Sequence, residues 1–67
     1  MEKGWTKVFR TDKPYQADIV SNILNENNIK SVVINKKDSM YLFGFIEVYV
    51  EDENKDVAIE IINKSAL

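Results

Sequence analysis

A chain of 67 residues holds one domain. A domain that small hides only about 60% of the surface its unfolded chain exposes, so burial in a partner or an oligomer would stabilise it. It has no cysteine and no histidine, which excludes disulfides, thiolate metal sites and the usual near-neutral acid–base group, and its net charge of −2 gives no general attraction to DNA or anionic lipid.

No apolar run approaches the roughly 20 residues needed to cross a bilayer. Nor does Met1-Glu2-Lys3-Gly4-Trp5 open a signal-peptide core. The expectation is a soluble cytoplasmic protein without a membrane contact.

Trp5-Thr6-Lys7-Val8-Phe9-Arg10 alternates weakly and predicts a first strand. Either Trp5 and Phe9 or Thr6 and Val8 point inward. Thr11-Asp12-Lys13-Pro14 is a helix start: Thr11 or Asp12 caps, and Pro14 suits the first turn, where its missing N–H is not needed. At about 100° per residue, Ala17, Ile19, Val20, Ile23 and Leu24 share one face of this helix. Asp18, Ser21, Asn22, Asn25 and Glu26 share the other. Asn27-Asn28 ends it, because Asn tolerates the left-handed conformation that closes helices.

Ile29 to Asn35 contains the β-branched run Val32-Val33-Ile34 and predicts a second strand. Phe45-Ile46-Glu47-Val48-Tyr49-Val50 alternates cleanly and predicts a third. Glu47 should avoid the core, so Ile46, Val48 and Val50 face the helices while Phe45 and Tyr49 face away. Glu51-Asp52-Glu53-Asn54 opens a second helix with Asp52 as its cap, and Val57, Ala58, Ile61 and Ile62 form its apolar face. Only Ser65-Ala66-Leu67 follow, too few for a full strand.

The order β-α-β-β-α describes a single α+β domain over residues 1–67. It is a ferredoxin-like unit whose fourth strand is missing or vestigial. A right-handed crossover sets the third strand between the first two in a mostly antiparallel sheet, with both helices on one face. The other face is open, and Phe45 and Tyr49 on it point to an interaction face, because apolar sheet faces of soluble proteins are usually covered.

Four stretches together resemble a known family: Trp5…Phe9; Tyr15-Gln16-Ala17…Leu24…Asn28-Ile29; Asn35-Lys36-Lys37-Asp38-Ser39; and Gly44…Glu47-Val48-Tyr49-Val50. It is the small prokaryotic domain-of-unknown-function family numbered two thousand and seven, whose members carry the label of candidate signal-transducing proteins. The resemblance covers nearly the whole chain, and the "NKKDS…FG" segment is its most specific part. It implies a fold similar to the PII (GlnB-like) nitrogen-regulatory proteins, which are ferredoxin-like trimers with a long target-docking loop. The corresponding hairpin here is much shorter. No catalytic or binding residue carries over from the family.

The connection 35–44 is oversized for a hairpin, and oversized loops are more often functional than minimal turns. Lys36 and Lys37 supply positive charge, Ser39 a hydroxyl, Asn35 and Asp38 the turn, and Tyr41 a cover. Together they form a candidate site for a small anionic ligand. The plain reading is a solvated turn. Met40, Tyr41, Leu42 and Phe43 read as a lid on the core rather than as a partner contact.

Phe43-Gly44-Phe45-Ile46 partly matches an RNA-binding strand motif, but basic and glycine positions are filled by Tyr41 and Leu42, so RNA ranks as a distant third role. The acidic group Glu51, Asp52, Glu53 and Asp56 matches no calcium loop, and capping explains it better than metal. Nothing supplies a nucleophile beside a base, so neither catalysis nor a cofactor is expected. The expected role is a non-enzymatic regulatory, signal-transducing domain that binds a small anion at the hairpin. The alternative is an adaptor, either a homo-oligomer (dimer or trimer) or a binder of another protein, acting through Phe45 and Tyr49.

Overall fold

The structure is a computed structural model and describes residues 4–36 and 44–65. In chain order it contains β1 (Trp5–Thr11), α1 (Pro14–Glu26), β2 (Ser31–Asn35), β3 (Ile46–Glu51), a 3-10 turn (Asp52–Asn54) and α2 (Lys55–Lys64). The sheet order is β1-β3-β2, and β3 runs antiparallel to both neighbours. This is the ferredoxin-like β-α-β-β-α arrangement, and the described residues include no fourth strand.

Both helices lie on the face carrying Ile46, Val48 and Val50. Ala17, Val20 and Leu24 from α1 and Ala58 and Ile62 from α2 close over these three, with Ile29 at one end. Leu24, Val20, Val48 and Val50 are the largest fully buried side chains. Each stabilises the fold by about 1.5–3 kcal/mol relative to leaving it exposed. The buried stripes are narrower than the sequence pattern implies. Ile19 lies at the border of the α1 stripe, and Val57 is 52% exposed although it was expected on the apolar face of α2. A step of about 100° from Ala58 carries Val57 off the contact line, and three strands are too few to support a wider helix face.

The inward face of β1 obeys neither simple alternation. A bulge between Lys7 and Phe9 shifts the register, so Thr6 lies opposite Val50 and Phe9 opposite Val48, both toward the helices. Trp5 lies opposite Glu51, toward the open side. An extra residue reverses side-chain parity beyond the bulge. Val8 and Phe9 therefore both pack against the core.

The ends of α1 show how local chemistry sets its limits. Pro14 is its first residue and Lys13 its cap position, without a side-chain cap. Thr11 serves from further out: its hydroxyl accepts from the Lys13 N–H at 3.0 Å and donates to Gln16 Oε1 at 2.7 Å. At the other end Asn28 has φ +62°, the Ile29 N–H donates to the Leu24 carbonyl at 2.9 Å, and the Asn28 N–H donates to that of Asn25 at 3.0 Å. This pair of bonds is the Schellman closure, with Ile29 buried beside Leu24 as its apolar contact.

Asp52 does not cap α2, whose cap position is Asn54. It starts the 3-10 turn and accepts a hydrogen bond from the Thr6 hydroxyl, while its own N–H donates to the Gly4 carbonyl at 2.9 Å. The start of β1 is thereby tied to the β3–α2 junction. Gly4 has φ +99°, and a Cβ there would touch nothing within 4 Å, so its glycine is required by conformation and not by space.

Candidate functional site on the open sheet face

With Ile46, Val48 and Val50 turned to the helices, Glu47, Tyr49 and Glu51 turn to the opposite side. Register adds their neighbours. Lys7 lies opposite Tyr49 on β1, and Arg10 opposite Glu47. On β2, Val32 lies opposite Tyr49 and Ile34 opposite Glu47. No described helix crosses this side.

Glu47 sits at the middle of this face, on the central strand. It is only 7% exposed, shielded by neighbouring side chains rather than by a second layer. One carboxylate oxygen, Oε1, lies 3.0 Å from Lys36 Nζ and accepts the Tyr49 hydroxyl at 2.8 Å. The other, Oε2, lies 3.2 Å from Lys7 Nζ. The hydrogen bond from Lys36 and then that from Tyr49 lower the Glu47 pKa to about 2, against the opposing effect of desolvation, with Lys7 adding to the same direction. The partner ammonium of Lys36 is raised, chiefly by the hydrogen bond to Glu47 and then by its charge. Tyr49 is buried at 7% exposure, and its hydroxyl is satisfied by Glu47. Among the described residues no buried side-chain polar atom lacks a partner.

Phe45 lies just before β3, 43% exposed, with the Arg10 guanidinium 4.4 Å from its ring centroid. That spacing is within cation–π range. Of the two residues expected to form an interaction face, Phe45 is accessible. Tyr49 faces the same side but is covered by its neighbours and holds Glu47.

Of the expected anion-site residues, Asn35 ends β2 and Lys36 follows it, its N–H donating to the Phe45 carbonyl at 3.0 Å. Lys37, Asp38, Ser39 and Tyr41 lie outside the described residues, as do Met40, Leu42 and Phe43. The Lys36 side chain turns back across the sheet to Glu47, which engages its charge within the fold. Sequence reading missed Lys7, Arg10 and Glu47 as a constellation. A carboxylate in mid-strand was the available signal. Its lysine partners come from two other strands or their ends, and no local spacing reveals them.

Within the acidic group, Asp52, the expected cap of the second helix, accepts a hydrogen bond from the Thr6 hydroxyl. No described helix is long and apolar enough to cross a membrane.

A family model described as "Putative prokaryotic signal transducing protein", domain-of-unknown-function family DUF2007, matches residues 5–65. The chain belongs to this family. No curated protein and no solved structure matched the chain. The DUF2007 match takes in all the described strands and helices, so the open face and its Glu47 cluster lie wholly within the family's domain.

Proposed function

We propose that this DUF2007 chain is a non-enzymatic regulatory domain of signal transduction. It works in the cytoplasm by holding a protein partner against the open face of its sheet. The observation that carries this reading is the Glu47 cluster: a shielded carboxylate clamped by Lys7, Lys36 and Tyr49 on a face that no described element covers. The cluster orders the face before any partner arrives, which lowers the entropic cost of binding. Trp5, Val32 and Ile34 supply half-buried apolar surface around it. Lys7, Arg10 and Lys36 outnumber Glu47 and Glu51, so the partner surface is apolar with carboxylates at its rim. The polar groups of the cluster satisfy one another, which leaves no activated nucleophile.

The test is site-specific photo-crosslinking in the host, with the reactive residue at Phe45 in one protein and at Asn22, on exposed α1 surface, in another. A discrete acidic partner captured from position 45 alone supports the reading. Equal capture from both positions, or none, overturns it. The anion-binding reading at 35–44 predicts thermal stabilisation by nucleotides or phosphorylated metabolites that is lost in Lys36→Ala/Lys37→Ala. Engagement of Lys36 by Glu47 counts against it, because an anion would have to displace a shielded carboxylate.

A further inference from the structure

The three cations of the open face are not alike. Lys7 and Lys36 are both bound to Glu47, which also accepts the Tyr49 hydroxyl. Arg10, the chain's only arginine, lies opposite Glu47 on β1 but takes no part in that cluster. Its guanidinium sits over the Phe45 ring instead. Among the described residues no carboxylate, carbonyl or hydroxyl oxygen accepts a hydrogen bond from it. A guanidinium carries five N–H donors in a planar fork, and here they stand at the exposed surface without an acceptor. The backbone beneath both partners is fixed. Arg10 belongs to the β1–β3 ladder, and the Phe45 carbonyl accepts the Lys36 N–H.

We propose that Arg10, seated on Phe45, is the receptor for an aspartate or glutamate side chain of the partner protein. The proposal rests on the protein-interaction reading above and names the group that takes the partner's charge. An aromatic ring holds a guanidinium in place without occupying its N–H groups. The fork therefore loses little freedom on binding, and its geometry matches the two oxygens of a carboxylate. Lys7 and Lys36 take that role only by giving up Glu47. Charge selects between acidic ligands. Glu47 and Glu51 lie on the same face, so a single fork balances the one charge of a carboxylate and not the nearly two of a phosphate group. Phe45, 43% exposed, offers apolar surface beside the fork, so an aliphatic neighbour of the partner's acidic residue packs there.

The probes are the capped peptides Leu-Glu-Leu, Leu-Gln-Leu and Leu-phosphoserine-Leu, titrated into the isotope-labelled full chain. The readouts are the Arg10 Nε–H signal, assigned by composition because no other arginine is present, and the Phe45 amide. The glutamate peptide should shift both. The glutamine peptide should bind about five- to tenfold more weakly, and the phosphoserine peptide no more tightly than the glutamate one. Arg10→Lys keeps the charge and lacks the fork, so the glutamate peptide should lose about five- to tenfold, read at the Phe45 amide. Phe45→Leu keeps apolar surface and removes the ring, with an expected loss of about two- to fivefold, read at Arg10 Nε–H. Lys55→Gln, on α2 and away from this face, should leave the affinity within about twofold, because exposed charges that far apart are screened.

Equal binding of the glutamate and glutamine peptides overturns the proposal, as does tighter binding of the phosphoserine peptide. An Arg10→Lys protein that binds like the parent also overturns it, and so does an Arg10 signal that no peptide shifts. Any of these results, with discrete capture from position 45, removes Arg10 as the receptor and leaves the protein-interaction reading standing. Failure of both experiments removes both. A glutamate response at Arg10 without capture in the host removes the protein partner and the proposal with it.

Discussion

Lys36 Nζ and Glu47 Oε1 lie 3.0 Å apart, joining the residue that follows β2 to the start of the central strand across the open face. The contact stabilises the fold and at the same time organises the candidate surface. It also holds the chain on the near side of the 35–44 connection against the sheet.

Removing the Glu47 charge tests that contact. Glu47→Gln keeps an amide oxygen to accept the Tyr49 hydroxyl but loses both ion pairs. The expected loss is about 1.5–3 kcal/mol in urea unfolding, the range for hydrogen bonds to charged groups. A Glu47→Gln protein as stable as the parent would show that the pairs contribute nothing net.

Acid titration should show the same group. The Glu47 pKa is depressed in the folded chain, from 4.5 to about 2. Between those values the unfolded state binds more protons, so stability rises with pH there. The contribution is fully present above about pH 4.5 and is lost as pH falls toward 2. At the alkaline end Lys36 has the opposite sign: its raised pKa gives a contribution present below 10.5 and lost as pH climbs past the folded value. Unfolding midpoints measured from pH 2 to 6 should flatten in Glu47→Gln.

The core makes a contrasting pair. Leu24 is fully buried between α1 and the sheet, so Leu24→Ala should cost about 2–5 kcal/mol. Val57→Ala should change stability by less than about 0.5 kcal/mol, because the side chain is half exposed. Similar losses in the two variants would contradict the burial pattern.

The α1 closure rests on one backbone conformation. Asn28→Gly should be near neutral, whereas Asn28→Val should cost about 1–2 kcal/mol, because a β-branched residue resists φ +62°. Thermal melts of the two variants would separate this effect from any loss of side-chain contact.

On the open face, Phe45→Glu should leave the fold intact, with loss of the Arg10 contact costing about 0.5–1 kcal/mol, and should abolish crosslinking to a partner. Tyr49→Glu is different in kind. It removes the hydroxyl that Glu47 accepts and sets a second carboxylate beside it, so it should unfold the domain more readily than Phe45→Glu. Circular dichroism of both proteins checks the distinction.

Local chemistry determined the order of elements, the Pro14 start and Asn28 stop of α1, and the inward set Ile46, Val48 and Val50, because period and capping are written within a few residues. The strand order follows from them, since a right-handed crossover leaves little choice. Tertiary structure alone decided three other features. The bulge at Val8 reassigned the faces of β1, and weak alternation carries no mark of an extra residue. Asp52 went to Thr6 instead of capping α2, because β1 passes close to the turn. Glu47 drew Lys7 and Lys36 from separate strands, and attraction between charges depends on distance in space and not on separation along the chain.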